Sequence, residues 1–531
     1  MVKGKIMNIL IKASKWYKDN MWKCSQIKKM VIVQFIFSVL LYSILITNQL
    51  TNHYDGLWSG NYALSGTWEL SIGRWFWLYI DRLRIGISSE PLTSCLALFL
   101  IIIGNILIFD IFGQIGKKTG YLAGMIIMSS TTVCNYLSYR YMSPTFGASF
   151  LLSILAAWIL VKKQNRVGNM VSAMVIALGL GAYQANLACT CVILVITFIK
   201  MVIEDEENKR IIHFTLGSFL TLATGCIIYK LIWQFHLSVF GVTPSSYNGA
   251  DNISVSDMII CFPQNIIKSY KFFINYFFEN SIKHNIFQKA GFYYLVCGIV
   301  IIALVTKIIM LVRKDIVKTV LLILASSVIP MACNISLFLA TKAGVMIQMT
   351  AGMAILFPVI LCLVNSIKEQ DLHKNKFEKF KMAYIVFLAI ILYGNVYMTA
   401  IDQETMYEGR NSSETLVHEA VSELCRKQMV SADKSYLFIG CPSRNPMFRV
   451  TKFWDMSNSY ARYGEFWSDP GCLRMAYSGI LRNIGVNLAY VPDDASIALN
   501  NREDVKNMPL FPAEGSIQEI DGYIVIKISN I

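Results

Sequence analysis

The stretch NMVSAMVIALGLGAYQANLACTCVILVITFIKMVI, residues 169–203, decides how this chain folds. It is apolar almost throughout. As a single helix at 1.5 Å per residue it would be about 50 Å long, too long for one crossing of a ~30 Å hydrocarbon core. It is interrupted at Gly179-Leu180-Gly181-Ala182-Tyr183-Gln184. Charge decides between one long span and two short ones. Counted as two, the stretch leaves every later basic cluster on the same side of the membrane as the basic N-terminus, as the positive-inside rule requires. Counted as one, it turns those clusters outward.

Composition agrees with a membrane solution. Apolar residues make up 55% of the 531 residues and charged residues only 15%, against about 25% charged in an ordinary soluble domain. The apolar residues come in runs such as Met30 to Ile46, Leu92 to Phe109, Tyr121 to Val133 and Phe146 to Val161. Each approaches the ~20 residues a spanning helix needs. Helices follow because lipid offers backbone groups no external partner. Spans are expected near 30–47, 92–112, 120–137, 144–162, 169–183, 185–203, 211–233, 291–312, 318–340, 345–365 and 382–400, about eleven in all. The inside loops then carry Lys117 and Lys118; Lys162, Lys163 and Arg166; Arg313, Lys314 and Lys318; and Lys368, Lys374, Lys376, Lys379 and Lys381. Residues 1–29, with Lys12, Lys15, Lys18, Lys23, Lys28 and Lys29 around Trp16 and Trp22, read as a basic cytoplasmic or interfacial segment ahead of a retained first span.

An odd number of crossings puts the N-terminus inside and the tail outside. It also makes the two long loops, about 48–91 and 234–290, outer ones, so that face is where the protein is expected to work. The formal charge of +14 does not indicate nucleic-acid binding. The tail from Asp402 onward has 13 Lys/Arg and 17 Asp/Glu, net −4, which leaves +18 on the remainder. There the cations flank spans. Thirteen scattered cysteines without a C-x-x-C pair, and six scattered histidines, give neither a disulfide framework nor a metal site.

The first outer loop holds the chemistry. It opens with Asn48-Gln-Leu-Thr-Asn-His-Tyr-Asp55-Gly56-Leu-Trp58 and continues through Thr67-Trp68-Glu69 to Gly73-Arg74-Trp75-Phe76. Trp68, Ile72, Trp75, Phe76, Tyr79, Ile80 and Leu83 recur at helical spacing, so one amphipathic helix lying on the outer leaflet is expected. Bracing of the bundle would account for most of those aromatics. It accounts less well for Asp55, a carboxylate at the mouth of the bundle suited to general-base work.

An acidic residue just after the first span, followed by a membrane-parallel helix, resembles the GT-C superfamily of membrane glycosyltransferases. Asp55, Gly73-Arg74-Trp75 and Ala182-Tyr183-Gln184 are similar to the glucosyltransferase II family, which includes enzymes that decorate O-antigen with glucose. The resemblance covers roughly residues 30 to 400. Where paired acidic residues are expected, His53-Tyr54-Asp55 offers one carboxylate, which leaves the catalytic role between Asp55 and Glu69.

The resemblance implies a polyprenyl-phosphate-linked sugar as donor, undecaprenyl-phosphate glucose above all, and a cell-surface glycan as acceptor. It needs no metal or other cofactor. A lipid-linked sugar suits an outer-face site, because a nucleotide sugar made in the cytoplasm cannot reach it. A base must take the acceptor's proton, and cations must stabilise the departing lipid phosphate. Outer-side candidates are Arg74, Arg140 in Ser138-Tyr-Arg-Tyr-Met142, Lys230 and Lys342. Snorkelling to headgroups is the competing account of each. Tyr183 and Gln184, polar groups at an interrupted span, line a substrate cavity or form a plain turn. One base without a second carboxylate suggests direct displacement with inversion.

Three other signals stay structural. Gly113-Gln-Ile-Gly-Lys117-Lys118-Thr119 has the wrong spacing for a phosphate loop. Glu204-Asp205-Glu206-Glu207 reads as a solvated turn. Residues 266–277 read as a second interfacial helix after a turn-rich 240–249. The tail, 401–531, reads as a small extracytoplasmic α/β domain with a helix over 412–428 and strands over 435–439 and 522–528. The expected whole is an all-α polytopic membrane glycosyltransferase domain over 30–400 plus that domain. A transporter or flippase of lipid-linked sugars is the rival reading, though there is no internal repeat and the spans hold few central charges to favour it.

Overall fold

The computed structural model describes residues 21–52, 54–247, 255–278, 290–312, 315–340, 344–367, 374–457, 461–466 and 468–530. Among these described residues, seven helices are long and apolar enough to cross a bilayer: Met21–Leu41, Leu92–Ile111, Ser143–Lys163, Gln184–Ile203, Asn208–Phe240, Ile316–Cys333 and Glu378–Arg426. Three further apolar helices are shorter, Arg166–Ala182, Leu295–Ile309 and Ala351–Ser366. The chain is a membrane protein, mostly helical, with a small sheet near its C-terminus.

The deciding stretch is two helices. Arg166–Ala182 ends at Tyr183, whose backbone is extended, and a 3-10 turn over Gln184–Asn186 leads into Leu187–Ile203. Side-chain bonds to the helix Ser143–Lys163 show the reversal. Ser172 Oγ donates to the Ala156 carbonyl and Ser149 Oγ to that of Gly179. Asn186 Nδ2 then donates to Phe146 and Thr190 Oγ1 to Ser153. The contacts climb that helix toward its start and then descend it again, so the two segments run in opposite directions.

Three expected elements differ. The span over 120–137 is two helices, Lys118–Met128 and Thr131–Ser138, because the Ser130 side chain accepts from Val133 N–H and caps a new start. The single amphipathic helix over 68–83 is also two, Thr67–Ser71 and Trp77–Leu83. Gly73 between them has φ +85°, a left-handed conformation that ends a helix. The separate tail helix over 412–428 does not exist as such. One uninterrupted helix, Lys374–Arg426, carries the last apolar segment directly into the C-terminal domain. No proline occurs within it to stop it. The expected segment 266–277 lies inside a longer helix, Val255–Phe278. Residues 1–20 of the basic segment, and 248–249 of the turn-rich stretch, lie outside the described residues.

The C-terminal sheet has three strands, β1 (Tyr436–Ile439), β2 (Ile517–Ile520) and β3 (Tyr523–Lys527), in the order β1-β3-β2. β1 and β3 run parallel, in the register Tyr436 with Ile524 and Phe438 with Ile526; β2 pairs antiparallel with β3. The helix Pro470–Asn483 packs on this sheet. Its core joins Leu416, Ala420 and Leu424 of the long helix to Phe438, Tyr477 and Ile480, and it also takes in Tyr54 and Leu57 of the first long loop. The loop that carries Asp55 is therefore packed into the core of a domain encoded about 400 residues later.

At the opposite end of the bundle, Lys23 and Lys162 both reach Asp110, at 2.5 and 3.4 Å. The Glu204–Glu207 turn holds Asp205, which pairs with buried Lys318.

Candidate active site

The two motifs, Gly73-Arg74-Trp75 and Ala182-Tyr183-Gln184, meet. Phe76 N–H donates to the Gly181 carbonyl at 2.8 Å. Gln184 Nε2 donates to the Ile72 carbonyl at 2.8 Å and to Tyr229 Oη at 3.1 Å. Gly73 allows this approach, because a Cβ there would lie 2.2 Å from Tyr229 Oη and 3.0 Å from Gln184 Nε2. Gly181 makes room for the Trp75 indole in the same way, at 2.5 Å from a built Cβ.

This junction aims Arg74. Its guanidinium carbon lies 5.0 Å from the centroid of Tyr183 and 5.5 Å from that of Trp77. Each such contact is worth about 0.5–2 kcal/mol, more when water is excluded. Arg74 Nε and Trp77 Nε1 are buried and have no hydrogen-bond acceptor among the described residues. Orphaned buried donors cost about 1–3 kcal/mol each, so two side by side suit a ligand's acceptor atoms.

Asp55 sits in the first turn of the short helix Tyr54–Ser59. The loop before it is tied down: Thr51 Oγ1 and Asn52 N–H both donate to the Ser138 carbonyl, at 3.0 and 3.4 Å. The carboxylate is half-buried. Loss of water pushes its pKa up to about 6; Arg74 pulls it down and Glu69 pushes it up, but burial outweighs both. An aspartate tuned this close to neutrality is poised to accept a proton.

Glu69 has a structural task. Its Oε2 accepts from Gly66 N–H at 2.7 Å and caps the helix Thr67–Ser71. Its charge still acts on Asp55, but its oxygen is engaged with the backbone.

Tyr141 completes the cluster, and the sequence reading singled it out only as a neighbour of Arg140. It stacks on Trp77, centroids 6.3 Å apart. Burial first, then Asp55 and Glu69, hold its phenol well above its ordinary pKa, so it is a proton donor at neutral pH. Its only signal in the sequence is the aromatic pair flanking the loop arginine, Tyr139-Arg140-Tyr141.

A buried ion pair frames the loop. Arg84 Nε donates to Asp81 Oδ1 at 3.0 Å, and its other nitrogens donate to the carbonyls of Ile87, Ala63 and Tyr141 at 2.5, 3.2 and 2.8 Å. Asp81 Oδ2 also accepts from Ser65 N–H. One guanidinium thus fastens its own stretch, 81–87, to the segments at Ala63 and Tyr141.

The four expected phosphate-binding cations separate. Arg74 is beside Asp55. Lys230 Nζ lies 4.3 Å over the Trp233 ring, whose Nε1–H donates to Leu70, so it backs the loop from behind. Lys342 lies outside the described residues. Arg140 belongs with a different set of charges, Glu90, Arg410 and Arg482. Among the described residues no group of three His, Cys, Asp or Glu side chains is placed to hold a metal ion.

The helical bundle thus gathers a carboxylate, an arginine and aromatic side chains at one junction between the first long loop and the helix break. Residues 50–357, more than half of the chain, match the family model described as Glucosyl transferase GtrII, and the chain belongs to that family. It is therefore a glycosyltransferase rather than a transporter. No curated protein and no solved structure matches it.

Proposed function

We propose that this enzyme transfers glucose from undecaprenyl-phosphate glucose to a cell-surface glycan, on the outer face of a bacterial cytoplasmic membrane. It does so through about eleven spans, with the N-terminus inside and the domain 401–531 outside. The carrying observation is Asp55, lifted to about 6 by burial and placed in the field of Arg74.

In this reading the acceptor hydroxyl attacks C1 of the glucose as its proton passes to Asp55. The C1–O bond breaks and its electron pair leaves with the lipid phosphate. Arg74, held between Tyr183 and Trp77, stabilises the growing phosphate charge and offers its unpartnered Nε–H to it. Tyr141 donates to a substrate oxygen. Glu69 shapes the loop and raises Asp55.

The test is consumption of labelled polyprenyl-phosphate glucose by membranes containing equal amounts of wild type or Asp55→Asn. Loss of about 10²–10⁴-fold in the variant is expected. Wild-type turnover by Asp55→Asn would remove Asp55 from the mechanism.

A further inference from the structure

A polar pocket lies at the same end of the bundle, where the first long loop meets the C-terminal domain. Its volume is about 220 Å³ and three arginines line it, Arg140, Arg410 and Arg482. They come from three parts of the chain: the loop after Thr131–Ser138, the long helix Lys374–Arg426 and the helix Pro470–Asn483.

Three guanidinium groups repel one another, so their gathering needs an explanation. Backbone carbonyls aim them. Arg140 donates to the Gln49 carbonyl at 3.1 Å and Arg410 to that of Asn48 at 2.6 Å; Arg482 donates to those of Leu57 and Trp58. Carbonyls orient a cation without cancelling its charge. Two carboxylates stand behind: Glu414 accepts from Arg410 and Asn483, and Glu90 acts on Arg140. Neither lines the cavity. Arg140 is only 7% exposed, and its Nε–H is buried with no acceptor among the described residues. Burial, with Arg410 and Arg482 nearby, holds its guanidinium below its ordinary pKa.

A concave site with three converging guanidiniums and an orphaned buried donor fits a tetrahedral oxyanion, which accepts forked pairs of N–H bonds. The remaining walls exclude a lipid tail. Apart from Leu57 and Tyr463 they are Thr47, Thr51, Asn61 and similar polar or glycine positions. A polyprenyl phosphate needs an apolar corridor beside its phosphate, and these walls provide none.

We infer that this pocket binds a phosphate or phosphodiester group of the hydrophilic glycan acceptor, and that the C-terminal domain thereby takes part in acceptor recognition. The inference rests on the glycan-acceptor reading above. Arg410 and Arg482 both lie beyond residues 50–357, so the two arginines come from outside the segment matched to the family.

The test titrates inorganic phosphate into the full-length protein in nanodiscs at low ionic strength, and reads the unfolding temperature and the ³¹P line width. Wild type and Arg74→Gln should both show a phosphate-dependent rise, and Arg482→Gln should need at least tenfold more phosphate. Because Arg482 also ties the domain to Leu57, Gln49→Glu serves as the second variant. Gln49 Oε1 already accepts from Arg140 at 3.4 Å, so a carboxylate there keeps the packing, offsets one of the three positive charges and occupies Arg140 in the place of an anion. It too should lose phosphate binding.

An unchanged titration in both pocket variants, or no response in wild type, overturns the proposal. Undecaprenyl phosphate forms a parallel arm. If Arg482→Gln weakens that lipid and Arg74→Gln does not, the pocket serves the donor and the acceptor assignment fails. None of these readouts requires glucose transfer, so the pocket can fail while Asp55 stands, and the reverse.

Discussion

Gln184 donates a 2.8 Å hydrogen bond to the carbonyl of Ile72. The helix break in the bundle and the bend in the first long loop are therefore one structural unit. The bond fixes the residue before Gly73, and Gly73 in its left-handed conformation turns Arg74 onto the faces of Tyr183 and Trp77.

Gly73→Ala should therefore damage the enzyme more than it damages the fold. A Cβ there meets Tyr229 Oη at 2.2 Å, and the positive φ costs an L-residue about 1–2 kcal/mol. Displacing the bend moves Arg74, and a shift of about 1 Å in a positioned group can cost about 10²-fold in rate. Donor turnover should fall on that scale while the protein still purifies as a folded species. Gln184→Ala should show the same pattern with a smaller loss. Full turnover in both variants would detach this junction from catalysis.

As the proposed base, Asp55 should set the acid limb of the pH profile. Its carboxylate form is the base, so turnover should rise through about pH 6 and level off above it. Arg74 lowers the Asp55 pKa, so Arg74→Gln should shift that limb to higher pH as well as reduce the plateau. The stability sign is the reverse of the usual carboxylate case. The folded pKa lies above the ordinary aspartate value of 3.8, so ionisation disfavours the folded state as pH rises from about 4 through 6. Asp55→Asn should thus unfold at the same temperature as wild type or higher at pH 7.5, while its turnover should be lost. A pH profile flat between 5 and 7 in wild type would contradict this tuning.

Much of this was legible in the sequence. Apolar runs and basic flanks place the helices because lipid excludes both charge and unpaired backbone. The break near Tyr183 was legible because a 35-residue apolar stretch is too long for one crossing. Asp55, Arg74 and Tyr183 were legible as types of residue out of place. Their convergence was not, since Tyr183 reaches Arg74 through a chain reversal that no local pattern encodes. The split at Gly73 was hidden by the aromatic period on either side of it. Glu69 looked like a second acid because its capping bond to Gly66 is a matter of rotamer, not of spacing. Nothing in the sequence distinguishes Arg410 and Arg482 among the tail's 13 Lys/Arg, because a surface charge and a pocket charge read alike until the tail is folded onto the first loop.

The buried pair Asp81–Arg84 should be the most sensitive structural point of the first loop. Arg84 is bonded to three carbonyls and one carboxylate in a shielded setting. Asp81→Asn leaves that cation without its counter-charge, a loss of about 3–5 kcal/mol for a buried pair. The unfolding temperature should drop clearly in thermal scans of the detergent-solubilised protein. An exposed charge on the same helix, Arg82, should tolerate Arg82→Gln with little change. Equal behaviour of the two variants would show that the pair is not what fastens the loop.

The helix Tyr54–Ser59 gets its position from the C-terminal domain, which leads to the last prediction. Gly479, on the helix Pro470–Asn483, lies against Leu57 so closely that a Cβ would come within 2.6 Å of both Leu57 Cβ and its carbonyl oxygen. Neither atom is the free end of a flexible side chain, so Gly479→Ala must move the backbone two residues from Asp55. Overpacking of this kind costs about 1–3 kcal/mol, which a folded domain can absorb. The displaced carboxylate should lower donor turnover far more, on the order of 10²-fold. Gly471→Ala is the matched control on the same helix. Its Cβ meets only the Asp469 side chain, at 3.1 Å, and that carboxylate can give way. If the domain merely hangs from the bundle, the two variants will turn over donor alike. If it holds Asp55 in place, only Gly479→Ala will lose activity, and it will do so from a residue that touches no substrate.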